Sequence, residues 1–352
     1  MSNCVTLSEF QLPLARPIRT PDGAITTRTG FLIELQQDEY RGIGEATPLL
    51  GWTEDIDRCH DELTTIRTTT TKPWQWELPI DAPAARHGIQ LAVTDLGAHA
   101  AGQSLATYLA GERANRSVPV NATIGSVPVD ELANSIRNAI DNGFPAVKIK
   151  VGHEPVDTTF ARLTEIAPYT SDIAVRLDAN QAWHPHTAEQ VIEEAANIGI
   201  DLIEEPLEKP TIAALGTLSD TPVQIALDET LIDHPEPDHK TWLTAVDAVV
   251  IKPMAIGGID RAIQLVSQAR QYNVEPILST TIDGVIARAA AVHVAAAVGM
   301  TTPSGLGTGS WIREDLTDDI VPVNNGQIAV PDGPGIGVGS QLNTDVITVL
   351  PQ

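Results

Sequence analysis

The sequence predicts an α/β protein: a parallel, barrel-like sheet preceded by a smaller α+β domain. Three observations lead there. After the loop Arg113 to Ser117, short β-branched runs alternate with amphipathic stretches, the pattern of βαβ units in a parallel sheet. Those runs end in ionisable residues at nearly even intervals. A chain of 352 residues is too long for one small domain and long enough for a barrel with a partner domain.

Residues 1–115 have a mixed texture. Phe31 to Leu35 and Arg41 to Ala46 read as two strands joined by a polar turn, and Glu54 to Ile66 and Ala84 to Ala100 as helices. Residues 116–320 carry the alternation. Val118 to Ile124 reads as a strand, Val129 to Asp141 as a helix and Ala146 to Val151 as a strand; later apolar runs end at Asp178, Glu204, Asp228, Lys252 and Ser279. Five or more successive units favour a closed barrel over an open sheet. Residues 321–352 hold two short strand-like pieces around Asn324-Asn325-Gly326, then Gly335, Gly337 and Gly339, whose glycines suit turn geometry. This tail is expected to return to the N-terminal domain.

Composition narrows the partners. Apolar residues at 42% allow a sizeable core. The longest apolar stretch, Ala289 to Met300, contains His293 and is too short to span a bilayer. Met1 to Phe10 lacks the basic-then-apolar pattern of a signal peptide, so a cytoplasmic location is expected. Cys4 and Cys59 are too few and too far apart for a disulfide framework or a zinc site. Acidic residues number 46 against 22 basic ones, a net charge of −24. Such a field repels nucleic acid and anionic membranes and argues against both as partners. The acids are scattered rather than blocked and lysines number only six, a balance that looks like adaptation to a salt-rich cytoplasm.

In a βα barrel the C-terminal strand ends converge on one mouth, and reactive groups sit there. From Lys150 to Asp178 is 28 residues, to Glu204 a further 26, and to Asp228 and then Lys252 a further 24 each. One unit of strand, helix and two loops needs roughly 25 residues, so the spacing puts one group per unit around a single ring. Asp178, Glu204 and Asp228 are hard oxygen donors with no His or Cys among them, a set that suits Mg²⁺ completed by water or substrate. Any one alone reads as well as a solvated strand-end acid or a helix N-cap. Three at this spacing, flanked by lysines, do not.

Lys148 and Lys150 lie two apart on a strand and so share a face. If that face is the interior, like charge and desolvation lower a lysine's pKa from its free value of about 10.4 and make a neutral amine available as a base. Lys252 falls across the ring from Lys150, placed to act on the other face of a substrate. Strand alternation turns Glu205 and Glu229 away if Glu204 and Asp228 face inward. His184 and His186 read as solvent-facing loop residues, and Trp74 and Trp76 as packing residues in a Pro-flanked linker. Gly305-x-Gly307-x-Gly309 lacks the spacing of a nucleotide loop and reads as a mouth loop touching a substrate carboxylate.

These residues stand in motifs that resemble a known family. Lys148-Ile149-Lys150-Val151-Gly152, Arg176-Leu177-Asp178-Ala179-Asn180, Glu204-Glu205-Pro206, Asp228-Glu229 and Ile251-Lys252-Pro253 are similar to the signature series of the muconate-lactonizing-enzyme subgroup of the enolase superfamily. The resemblance implies an α+β capping domain, completed by the tail, over a modified TIM barrel of (β/α)₇β form. It implies Asp178, Glu204 and Asp228 as ligands of Mg²⁺ (with Mn²⁺ as a substitute) and a small carboxylate as substrate. Lys150 and Lys252 are then the acid/base lysines, Lys148 tunes Lys150, and Arg176 and Asn180 support the mouth.

Within the subgroup, Gly42-Ile43-Gly44-Glu45-Ala46-Thr47-Pro48-Leu49, Gly51-Trp52-Thr53-Glu54 and Ser279-Thr280-Thr281-Ile282-Asp283 resemble the o-succinylbenzoate synthases. Ser279, Thr280, Thr281 and Gly307 are the corresponding candidates for substrate contact. Thr280-Thr281 departs from the serines usual in those synthases. The Asp-x-Asp with which dipeptide epimerases hold a substrate amine is missing from Ser304-Gly305-Leu306-Gly307-Thr308-Gly309, which favours a substrate without an α-amino group. A racemase of N-succinylamino acids, a muconate-type cycloisomerase and a catalytically silent binding barrel are the other readings. Retention of two lysines and three acids speaks against silence, because buried charges are costly. Homo-oligomer formation stays open.

Overall fold

The computed structural model describes residues 4–20, 23–67, 75–79, 81–152, 154–218, 221–234, 240–339 and 341–350; Trp74 lies outside them. The chain opens with an antiparallel meander, β1 (Cys4–Thr20), β2 (Gly23–Gln37) and β3 (Tyr40–Ala46). The sequence reading missed β1, in which Pro13 and Pro17 blur the pattern; the pairing with β2 does slip between Pro13 and Ile18. Its alternation is nonetheless real, with Phe10, Leu12 and Leu14 buried on one face. Helices α1 (Ile56–Arg67), α2 (Pro83–Ala101) and α3 (Leu105–Ala110) follow.

Helix α2 lies unusually close to β3. A Cβ on Gly44 would fall 1.9 Å from the Gly88 carbonyl oxygen, and one on Gly42 2.2 Å from that of Ala92. The Gly-x-Gly of this strand is therefore a backbone contact surface. Trp76 is buried in the apolar cluster beside α2, in keeping with a packing role.

The second layer begins at β4 (Ser117–Pro119) and β5 (Ala122–Ile124), which together replace the single strand expected over Val118 to Ile124. Then come α4 (Val129–Asp141), β6 (Ala146–Lys150), α5 (Val156–Ile166), β7 (Ala174–Asp178), α6 (Pro185–Ile198) and β8 (Leu202–Glu204). The series continues through α7 (Ile212–Leu218), β9 (Gln224–Leu227), α8 (Glu229–Asp233), α9 (Lys240–Leu243), β10 (Ala248–Ile251), α10 (Pro253–Ile256), α11 (Ile259–Gln271), β11 (Glu275–Leu278) and α12 (Val285–Ala297). Strands β5 to β11 form one parallel sheet in strict sequence order. Its two edges meet across a short eighth segment. Ser304 bridges to Val120 and Gly305 to Ser279, with the Asn121 amide donating to Ser304 O (3.0 Å) and the Gly305 amide to Leu278 O (2.7 Å).

The same-face rule explains what fills this curled sheet. Leu202, Ala226, Ala248, Val250 and Ile277 form a buried apolar cluster of their own. Two residues further along their strands, on the same face, stand Glu204, Asp228, Val250, Lys252 and Ser279. The apolar floor thus gives way to polar groups at the mouth. Helix α12 packs against α3, α11 and β3, and Val285 through Ala296 are all buried. That accounts for the run Ala289 to Met300 without a membrane. Its His293 accepts from Ala106 N (3.2 Å) at Nδ1 and contacts Ile336 O (3.0 Å) at Nε2; burial draws its pKa down to about 4. Among the described residues, no helix is long and apolar enough to cross a membrane.

The tail divides. β12 (Val323–Asn324) and β13 (Gln327–Ala329) form a hairpin through Asn325 and Gly326, both at positive φ, as an Asn-Gly turn requires. This hairpin pairs with β4, at the N-terminal end of the barrel, and not with the capping sheet as expected. Ile328, opposite Val118, is fully buried there, a reward the edge of the meander does not offer. Two later stretches return to the N-terminal domain as expected: Gly335 N donates to Gln103 O (2.8 Å) and Ile336 N to Asp95 Oδ1 (2.7 Å), and β14 (Ile347–Val349) pairs with β1 at the edge of the first sheet.

Candidate active site at the barrel mouth

Parallel register brings the predicted groups together. Lys150 pairs with Asp178, Asp178 with Glu204, and Glu204 with Ala226, two residues before Asp228. Asp178, Glu204 and Asp228 are at most 2% exposed, and Lys252 is 8% exposed. Lys148 Nζ lies 2.9 Å from Glu204 Oε1 and 3.0 Å from Asp178 Oδ2, so one ammonium bridges two carboxylates. Lys150 Nζ donates to Asn180 Oδ1 at 2.8 Å and stands 3.4 Å from Asp178 Oδ2. Lys252 Nζ makes a short contact with Asp228 Oδ2 and lies 3.6 Å from the ring centroid of Trp52, carried on a capping-domain turn.

The electrostatics follow from this crowding. Burial alone would raise the Asp178 carboxyl, but Lys148 and Lys150 overrule it and hold it below the usual carboxylate range. Asp228 goes the other way: burial, with Glu204 and Glu229 nearby, pushes it well above its ordinary value in spite of Lys252. At Lys148 the like-charge argument meets a stronger one: burial lowers it, but Asp178, Glu204 and Asp228 together carry its pKa well above the ordinary value. A linear sequence shows the neighbouring ammonium; it does not show three acids folded around it.

Glu205 and Glu229 part company. Glu205 turns behind the mouth, as alternation requires, and accepts from Asp228 N (2.6 Å), Thr230 N (2.8 Å) and Thr230 Oγ1 (2.8 Å). Burial, reinforced by Glu229, raises its pKa to about 7. Glu229 does not turn away. Its Oε1 accepts from Asn180 Nδ2 at 2.7 Å, and its buried Oε2 has no hydrogen-bond partner. Alternation failed because β9 ends at Leu227; Asp228 (φ −137, ψ −80) has left the extended region and α8 starts at Glu229.

As they stand, lysines separate the acids, and among the described residues no three His, Cys, Asp or Glu side chains close on one point. The donor set still fits a hard divalent cation. Asp178, Glu204 and Asp228 offer only oxygen from adjacent strands, and Glu229 Oε2 is a further buried oxygen beside them without a partner.

The remaining strand ends carry hydroxyls and glycines, with the buried acid Asp283 behind them. Ser279 Oγ donates to Gly305 O (3.2 Å), and Thr280 Oγ1 meets Thr308 Oγ1 at 3.0 Å. Thr281 Oγ1 makes a short bond to Asp283. These hydroxyls already build their own loop. Gly307 has its Cβ direction toward Val323 (3.3 Å), away from the lysines, while Gly305 and Gly309 make room for Ser279 (2.6 Å) and the Arg288 guanidinium (2.9 Å). The glycines of this series thus let the mouth loop pack closely on its neighbours. Arg176, two residues before Asp178 on the same face, donates to Pro303 O at 2.6 Å and ties β7 to the eighth segment. His184 and His186 are exposed, as expected, though His186 lies in the first turn of α6 and not in a loop.

The capping domain braces this side. Arg28, 2% exposed, donates to Pro48 O (3.0 Å), Thr47 O (2.8 Å) and Ile282 O (3.2 Å). Glu45 accepts from Gly284 N (2.7 Å) and Ala287 N (2.8 Å) at the start of α12; burial, with Asp283 close by, raises its pKa to about 8. Sequence reasoning turned Glu229 away and passed over Arg28 and Trp52 as individual residues. Trp52 had a visible signal, an aromatic directly after the turn glycine Gly51.

Comparison with known proteins agrees with this architecture. Residues 131–343 match the Enolase C-terminal domain-like family, and residues 2–96 match the MenC N-terminal domain. The chain belongs to the enolase superfamily, and its fold is that superfamily's capping domain over a modified TIM barrel. It is 27% identical over 354 residues to the L-Ala-D/L-Glu epimerase of Bacillus subtilis (strain 168), covering 95% of each chain. It is 25% identical to the o-succinylbenzoate synthase of Aliivibrio fischeri (strain ATCC 700601 / ES114), over 85% of this chain and 88% of that one. Among solved structures, a dipeptide epimerase from Methylococcus capsulatus complexed with Mg and the dipeptide L-Arg-D-Lys superposes with a TM-score of 0.80. That structure is 25% identical and covers 96% of this chain and 99% of its own.

Proposed function

We propose that the protein is an o-succinylbenzoate synthase, which removes water from 2-succinyl-6-hydroxy-2,4-cyclohexadiene-1-carboxylate by syn elimination, in the biosynthesis of menaquinone. Asp178, Glu204 and Asp228 would hold Mg²⁺, with Mn²⁺ as a substitute. When bound, the ion supplies positive charge to the substrate carboxylate, whose α-proton is otherwise far too weakly acidic for a lysine to remove. Lys150 takes that proton and returns it to the departing hydroxide. Lys252 holds positive charge against the other face as the enediolate forms. Asn180 orients Lys150, and Lys148 neutralises Asp178 and Glu204 from below.

The asymmetry of the two lysines carries this reading. Lys252 has a carboxylate and an aromatic face as partners, surroundings suited to a standing cation. Lys150 has a neutral amide oxygen as its nearest partner (2.8 Å), with the Asp178 carboxylate further off at 3.4 Å. A dehydration needs one proton-handling lysine and one charge; a racemisation needs two bases. The eighth segment, Ser304 to Gly309, carries no acid to hold a substrate ammonium, and the MenC match of residues 2–96 points the same way. A second reading, a racemase of N-succinylamino acids or a dipeptide epimerase, draws on the 27% identity to the Bacillus subtilis enzyme.

The test is a side-by-side assay with Mg²⁺ in high salt, using the cyclohexadiene substrate, N-succinylamino acids and L-Ala-D-Glu. Dehydration should be the fastest of the three. Turnover of only the amino-acid derivatives would overturn the assignment.

A further inference from the structure

Trp52 is a tryptophan without a core. Among the described residues it joins neither large apolar cluster, and its neighbour Leu50 is 72% exposed. Its ring instead faces the Lys252 ammonium, 3.6 Å from the centroid, within the range in which an aromatic face attracts a cation. The turn that carries it is tightly made. Leu49 O accepts from Trp52 N (2.8 Å) and Thr53 N (2.9 Å), Thr53 Oγ1 accepts from Leu49 N (2.8 Å), and Gly51 supplies the left-handed φ of +89.

Both ends of the turn are anchored. Upstream, buried Arg28 holds Thr47 O and Pro48 O. Downstream, Glu54 accepts from Ala84 N (3.0 Å) and Ala85 N (2.8 Å) at the start of α2. A rigid turn therefore points an indole face out of one domain at a lysine of the other. Lysine has four flexible carbons and a point charge, and a single carboxylate leaves its head free to swing.

We propose that Trp52 is a positioning residue: its indole face seats the Lys252 ammonium, so this lysine is in place only when the capping turn is docked on the barrel. The inference rests on the placement of Lys252 at the reactive mouth, and not on which of the two reactions runs there. It makes the capping domain part of the catalytic arrangement as well as its cover.

The test compares Trp52→Leu, which keeps apolar bulk, with Trp52→Phe, which keeps an aromatic face. The full-length, Mg²⁺-loaded protein is methylated with formaldehyde and cyanoborohydride, and each lysine is followed by mass spectrometry. Lys252 labelling should rise about tenfold relative to Lys150 in Trp52→Leu and stay near wild type in Trp52→Phe. In parallel, kcat should fall in Trp52→Leu with KM little changed, and Trp52→Phe should recover most of it. Unchanged Lys252 labelling in Trp52→Leu, an equal rise in both variants, or a parallel rise at Lys150 would each overturn the proposal. A labelling response in a protein that dehydrates nothing would uphold the seat and count against the synthase assignment alone.

Discussion

The barrel mouth has two unlike halves. Strand ends β6 to β10 carry Lys148, Lys150, Asp178, Glu204, Asp228 and Lys252, and these charges satisfy one another within the barrel. The other half, from β11 through the eighth segment to β5, carries hydroxyls and glycines and is held from outside by Arg28 and Glu45. Its loop contains Ile282 at φ +60, a left-handed conformation that costs a β-branched residue about 1–3 kcal/mol. The Arg28 bond to Ile282 O and the Thr280 bond to Ile282 N keep it there. Under the proposed function, the charged half would set the class of reaction, since moving a proton beside a carboxylate needs charge, and the other half, shaped by the capping domain, would set what fits.

Three experiments sharpen that division. Metal removal acts on the charged half and should have the largest effect: EDTA abolishes turnover, and Mg²⁺ or Mn²⁺ restores it. Full turnover after exhaustive chelation would remove the metal from the scheme. Salt acts on neither half but on the acidic surface around both. At −24 the compact state repels itself, so circular dichroism melts should show a lower Tm in millimolar than in molar KCl. A Tm independent of salt would give the acidic surface another purpose.

The smallest effect belongs to the brace of the hydroxyl-bearing half. Glu45→Gln sets an amide N–H against a backbone donor at Gly284 or Ala287 and should cost about 1–3 kcal/mol. Because the folded pKa of Glu45, about 8, lies above its unfolded value, its stabilisation is full below the unfolded pKa and is lost as pH rises through about 8. The stability advantage of wild type over Glu45→Gln should therefore widen from pH 8 toward acid. An advantage that instead grows with pH would reverse the sign of the argument.

The same division decides what was legible in the sequence. The charged half repeats once per βα unit, and same-face alternation puts Asp178, Glu204, Asp228 and Lys252 on one ring without any knowledge of contacts. Where the strand stops the rule stops, and so Glu229 was sent the wrong way. The hydroxyl-bearing half has no such period. Gly305, Gly307 and Gly309 record only that something comes close, and Ser279, Arg288 and Val323 are far off in sequence. The β12–β13 hairpin was visible in Asn325-Gly326, but its partner β4 was not, because hairpin chemistry is local and strand choice is not. Lys148 taught the same lesson in charge.

The central claim is that Lys150 handles the proton and Lys252 supplies a fixed charge. Arginine keeps the charge and removes the usable base, since its guanidinium does not deprotonate in proteins. The direct measurement is kcat/KM for dehydration by Lys150→Arg and Lys252→Arg, purified and assayed together with Mg²⁺. Lys150→Arg should lose roughly 10²–10⁴-fold, as Lys150→Ala should, while Lys252→Arg keeps measurable dehydration and loses any racemase activity. An active Lys150→Arg beside a dead Lys252→Arg would put the base on the other side of the barrel.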